Sequence, residues 1–197
     1  MRFLVILLLH LTVVLPAAPV FDWAASGGGV KADKVRGLNV DRDGNVFVAG
    51  ECADEVGFGA VTHKGLGLND VFVAKLDPRG KYLWSKVAGG PQIDRAYAVA
   101  TDAQGNSYVT GHFQGASAEF DGHAVRGRGD YDAFVVSYDQ DGRFRWIRTA
   151  GGRGYDYGHA VAVDSRGDVI VAGAVVGEAT FGDVVVPNEP GAHIFVA

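Results

Sequence analysis

The chain has 197 residues, 29 of them glycine and one cysteine, with a formal net charge of −5 at neutral pH. That length allows one or two domains, and an ordinary charged fraction excludes a disordered chain. An acidic balance without a concentrated basic run excludes a nucleic-acid binder, because Arg126, Arg128 and the arginines of 143–148 are scattered among acids and turns.

The first element is a targeting segment. Arg2 supplies a positive start, Phe3 to Leu15 an apolar run broken only by His10 and Thr12, and Pro16-Ala17-Ala18 the small residues of a cleavage site. The pattern predicts a secretory signal peptide over residues 1–18. The apolar run is short of the ~20 residues that span a bilayer, so no membrane insertion is expected after cleavage.

Beyond it the chain repeats itself. Trp23, Trp84 and Trp146 stand 61 and 62 residues apart and open three similar stretches, each closing on a glycine: Gly50, Gly111 and Gly173. A fixed period of this kind marks a repeat architecture. Residues 20–28 match the strand that elsewhere ends a repeat. An alternating segment follows, with small residues on one side: Gly37 and Asn39, Ala98 and Ala100, Ala160 and Ala162. Period-two patterning predicts a strand, and its small side predicts close approach of another backbone. An Asp-x-x-Gly hairpin turn comes next (41–44, 102–105, 164–167), then strands Val46 to Ala49, Ser107 to Thr110 and Val169 to Ala172. About twenty looser residues follow, read as a surface excursion anchored by Phe58, Phe120 or Phe181. The strands DVFVAKLD (70–77) and DAFVVSYD (132–139) then lead through a second Asp-x-x-Gly turn to the tryptophan strand.

Each period thus holds four strands. The fold expected is all-β: a partial β-propeller of tandem four-stranded antiparallel blades of about 61 residues. The domain reading is a signal segment at 1–18 and an incomplete propeller over 19–197. It comprises a leading closure strand at 20–28 and repeats at 31–91, 92–153 and an unfinished 154–197. Seven such units would need roughly 430 residues, so a truncated or fragmentary propeller is expected, prone to self-association through open blade edges.

The segments GNVFVAG and DVFVAKLD, the Phe-Gly pair, Trp84, the Gly-Gly pairs and the D-x-A-x-x-V-A-x-D run resemble the SBBP class of bacterial β-propeller repeats. The resemblance covers residues 20–197 and implies a propeller. It implies no defined activity, because a fold does not fix function.

Two columns of the repeat are candidate binding positions. Asp33, Asp94 and Asp156 recur after each Gly-Gly pair, either as backbone hydrogen-bond acceptors or as a ligand-holding ring. Arg36, Tyr97 and His159 vary in size and charge within a constant frame, which is where specificity sits on a rigid scaffold. Cys52 aligns with Phe113 and Val175, and reads as a small apolar strand residue or a reactive thiol. No histidine pairs with Cys or Glu at zinc-site spacing, so neither metal nor cofactor is expected. No nucleophile elbow or phosphate loop is present. The function expected is an exported binding or protein-interaction module, non-enzymatic, secreted, periplasmic or at the cell surface, with a protein or glycan ligand. The alternatives are a fragment of a propeller hydrolase or lyase, and a structural spacer in a surface protein.

Overall fold

A computed structural model describes residues 18, 20–187 and 191–197. The predicted signal segment lies outside the described residues apart from Ala18. The strands in chain order are β1 (Gly27–Gly28), β2 (Lys34–Val40), β3 (Val46–Cys52), β4 (Val56–Phe58), β5 (Val61–His63), β6 (Asp70–Leu76), β7 (Tyr82–Ala88), β8 (Arg95–Thr101) and β9 (Ser107–Gln114). They continue as β10 (Ser117–Phe120), β11 (His123–Arg126), β12 (Tyr131–Tyr138), β13 (Phe144–Gly152), β14 (Tyr157–Val163), β15 (Val169–Val176), β16 (Ala179–Phe181), β17 (Val184–Val186) and β18 (Ala192–Val196). The described residues contain no helix.

The first repeat folds as the antiparallel sheet β2-β3-β6-β7, the second as β8-β9-β12-β13 and the third as β14-β15-β18. The turns between strands follow from one side chain. Asp41 Oδ1 accepts from Asp43 N at 3.0 Å and Asn45 N at 2.8 Å, while Gly44 takes a φ of 80°. Asp77, Asp102, Asp139 and Asp164 do the same. A carboxylate that caps two amides closes the hairpin without a partner from outside it.

The first strands of the three sheets lie side by side. A Cβ on Gly37 would stand 2.8 Å from Ala98 Cα, and Thr101 Oγ1 donates to Asn39 Oδ1 at 2.7 Å. The small side of these strands is therefore where backbones meet. Between the first and second sheets lies the main core. Phe47, Val71, Val109, Phe113, Phe120, Phe134 and Val136 are buried there, each large side chain stabilising by roughly 2 kcal/mol. Cys52 is fully buried in a neighbouring cluster with Val56, Phe58 and Phe72. Burial pushes its thiol up to about 12, so at neutral pH it is an unreactive core residue.

Two of the tryptophans reach forward to the next sheet. Trp84 Nε1 donates to Gln140 O at 3.1 Å, and its ring covers Gly142 in the turn between β12 and β13. Trp23 covers Gly80 in the same way. Of the strand predicted over 20–28, Gly27–Gly28 is the paired part, against Phe58 and Gly57 of β4.

The looser segments differ from the surface excursion expected. Each forms a hairpin (β4-β5, β10-β11, β16-β17) whose phenylalanine is turned inward, Phe120 completely. The hairpin pairs with the Gly-Gly end of the preceding repeat: Gly28 with Gly57, Gly89 with Glu119, Gly151 with Thr180. The glycines are required by this junction. At Gly90 a Cβ would meet the Ser117 carbonyl of the hairpin, and at Gly89, with φ 154°, it would meet the Asp94 carboxylate.

Candidate functional site

The Asp column lies at these junctions. Asp94 Oδ2 accepts from Gly90 N at 2.5 Å and Oδ1 from Gln114 N at 2.9 Å. Asp156 bonds Gly152 N at 2.7 Å and Val176 N at 3.0 Å, and Asp33 bonds Gly29 N at 2.7 Å and Ala53 N at 3.1 Å. All three carboxylates tie the Gly-Gly end of one repeat to the second strand of the next, so both oxygens are engaged by backbone. Asp94 and Asp156 are wholly buried, while Asp33 is half-buried. Asp70 and Asp132, also wholly buried, face Asp94 across Gly89 and Asp156 across Gly151 respectively. Each has one oxygen without a hydrogen-bond donor. Burial, aided by the neighbouring carboxylate, lifts Asp94 to about 6 and raises Asp132; burial also raises Asp70 and Asp156.

The second column has a different placement. The β2–β3 ladder slips between Val35 and Gly37, β8–β9 between Ala96 and Ala98, and β14–β15 between Gly158 and Ala160. Arg36, Tyr97 and His159 are therefore the extra residue of a β-bulge in each first strand. Bulges re-aim side chains and are concentrated beside functional sites. The bulge also explains the glycine that the sequence places at the end of each second strand and that the structure places inside it, in β3, β9 and β15. It swings the carbonyls of Lys34, Arg95 and Tyr157 into the space a Cβ on Gly50, Gly111 or Gly173 would take.

Because the first strands are neighbours, the bulged residues form one row. The Arg36 guanidinium lies 5.5 Å from the Tyr97 ring centroid, and the Tyr97 and His159 rings are 5.3 Å apart. The structure adds residues that column reading missed. Cross-strand pairing sets Lys34 opposite Glu51, Arg95 opposite His112 and Tyr157 opposite Ala174. Glu51, its side chain 3 % exposed, is held by Arg36 Nη2 at 2.9 Å, by Lys34 Nζ at 3.5 Å and by Arg95 Nε. Burial alone would raise its pKa, but the Arg36 bond and the charges of Arg95, Arg36 and Lys34 outweigh it and hold the carboxyl below its ordinary value. Glu51 stays ionised and is no proton donor.

His112 lies beneath a mouth, the face where Arg36, Arg95, Tyr97, Tyr157 and His159 gather. It is 1 % exposed, and neither ring nitrogen has a hydrogen-bond partner among the described residues. Tyr131 packs on it at 4.6 Å, Tyr157 at 5.1 Å and Tyr97 at 5.5 Å, with Tyr155 behind Tyr131 at 5.1 Å. Burial first, then the positive charge of Arg95, lowers its pKa to about 4, so the imidazole is neutral at physiological pH. A cavity of about 590 Å³ lies elsewhere, between the second and third sheets and lined by Phe134, Ile147, Phe181 and Phe195. Its lining is mainly apolar with Arg128 and Arg148 among it and includes no acidic side chain, whereas at the bulged row three cations meet one buried carboxylate.

Antiparallel sheets set side by side on their first strands, each stapled to the next, define a β-propeller-like repeat protein. Over 113 residues the chain is 27 % identical to an uncharacterised WD repeat-containing protein of Acanthamoeba polyphaga mimivirus. The match takes in 54 % of this chain and 8 % of that protein's length. No protein-family model matches.

Proposed function

We propose that the chain is a non-enzymatic protein-interaction module that engages its partner through the bulged row Arg36, Tyr97 and His159. The observation that carries this is the row itself. Three repeats keep the bulge, while the residue it presents changes from guanidinium to phenol to imidazole. A scaffold that holds the backbone constant and varies the presented group is built for recognition. The distant likeness to a WD repeat protein accords with a propeller used in this way. Glu51 ionised and held by three cations, beside a neutral buried His112, forms no acid–base pair, which favours binding over hydrolysis or lyase chemistry. The SBBP-type reading rests on GNVFVAG and DVFVAKLD, and export to the periplasm, cell surface or medium rests on the signal pattern of residues 1–18. Leu38 and Val40 on β2 and Ile194 and Val196 on β18 are exposed apolar side chains of open sheet faces and supply surfaces for self-association.

The test is to pan a random peptide display library on the full chain. Enriched peptides should lose binding to the Tyr97→Ala and His159→Ala variants and keep it with Leu83→Ala, an exposed position on β7. Enriched peptides indifferent to Tyr97 and His159 would overturn the reading.

A further inference from the structure

The mouth carries an excess of positive charge in an acidic protein. Lys34, Arg36 and Arg95 converge on one carboxylate, Glu51, leaving a surplus of two positive charges. Glu51 is sealed below the surface, while the cations remain partly open: their side chains are 60 %, 31 % and 33 % exposed. A guanidinium has five N–H donors in a fixed fork. Arg36 directs Nη2 to Glu51 and Arg95 directs Nε, so donors on both remain for a group arriving from outside. The walls are amphipathic. Tyr97 contacts Arg36, His112, Tyr157 and His159, and Tyr157 stacks on His159 with ring planes 14° apart. Ring faces engaged with one another leave no flat platform for a sugar ring. A second feature lies beneath the same rings: buried His112 has two ring nitrogens unpartnered among the described residues.

We infer that the mouth is a carboxylate-binding site for an acidic peptide segment, with Arg36 and Arg95 as anchors, Lys34 at the rim and Tyr97, Tyr157 and His159 as the wall. Forked recognition of carboxylates by arginine is the physical basis, and clustered arginines are a recurring means of binding acidic motifs. Within the site Glu51 occupies the cations from the inside, as the ligand carboxylate would from the outside. This inference rests on the proposed interaction face and names the chemistry of its partner.

The experiment is calorimetric titration of the full chain with a hexaglutamate peptide, and separately with hexalysine and with an oligogalacturonate. Hexaglutamate is expected to bind, weakening at least tenfold as salt rises from about 50 to 300 mM, since partly exposed ion pairs are screened over this range. Hexalysine should not bind. Arg36→Gln should weaken binding at least tenfold, and Lys34→Gln, an exposed rim change that leaves the fold intact, two- to fivefold. Glu51→Gln should strengthen it severalfold, an effect that a purely structural ion pair would not produce. Failure of hexaglutamate to bind, or equal binding of hexalysine, would overturn the inference. Binding of the oligogalacturonate in place of the peptide would overturn it too. Display-selected neutral peptides that still depend on Tyr97 would leave the interaction face standing while refuting its acidic partner.

Discussion

Replacing Asp70 by asparagine is expected to stabilise the protein at alkaline pH. Asp70 Oδ2 accepts from Leu66 N at 2.9 Å and Gly67 N at 3.3 Å, which an amide oxygen does equally well. Oδ1 has no donor and faces Asp94; a Cβ built on Gly89 between them would lie 2.7 Å from one and 2.5 Å from the other. An amide nitrogen there would donate to the Asp94 carboxylate in place of a like charge. Asp94 lifted from 3.8 to about 6 corresponds to roughly 3 kcal/mol against its ionised form in the fold. Burial is the larger cause and remains in the variant, so relief of the Asp70 charge should return about 1 kcal/mol. For a chain of this size that raises Tm by about 2–4 °C. The sign with pH is definite. A carboxyl whose folded pKa is raised contributes its stability below the unfolded value near 3.9 and loses it as pH rises through about 6. Asp70→Asn should therefore gain at pH 8 and show almost no gain at pH 4.5. His112, whose lowered pKa costs stability as pH falls toward 4, is unchanged in both proteins and cancels in the difference. Urea denaturation of the two proteins at both pH values measures it. A variant less stable at pH 8, or equally stabilised at both, would refute the reasoning.

Two further outcomes follow from the seams. Gly111→Ala would thrust a Cβ into the Arg95 carbonyl and flatten the bulge that presents Tyr97; a loss of about 2–3 kcal/mol is expected in urea denaturation, with loss of peptide binding. Trp84→Ala removes a ring packed edge-on to Phe47 at 5.9 Å and a hydrogen bond to Gln140, costing about 3 kcal/mol, whereas Trp23→Ala, at the partly exposed 39 %, should cost less than half of that.

The period, the Asp-x-x-Gly turns and the variable column of Arg36, Tyr97 and His159 are legible in the sequence because each is set within one repeat, whereas the joining of that column into a row is a contact between repeats. The hairpins are not. Their ladder partner is the Gly-Gly end of the repeat before, and the three segments share little beyond a phenylalanine, so no alternation betrays them. Most of the mouth is hidden for a similar reason. Glu51 joins Arg36 only because a bulge brings the residue after Gly50 to the same side, and Arg95 arrives from the neighbouring repeat. Tyr131 and Tyr155, in different repeats, meet across a parallel bridge between their backbones. A useful signal was available: the positions of Lys34, Arg95 and Tyr157, and of Glu51, His112 and Ala174, vary as freely as the bulged column while their flanks stay fixed. Asp33, Asp94 and Asp156 show the opposite case, a constant column with a constant backbone task.

Three first strands pack side by side, so that rings from separate repeats enclose His112. The most direct measurement is an NMR titration of the full chain with isotope-labelled histidine. The His112 ring signal is expected to stay unchanged from pH 8 to pH 5, to titrate only toward pH 4, and to lose this behaviour in Tyr131→Ala. A His112 signal that titrates near 6.5 would contradict this enclosure, because that ring would then be in water rather than beneath the tyrosines.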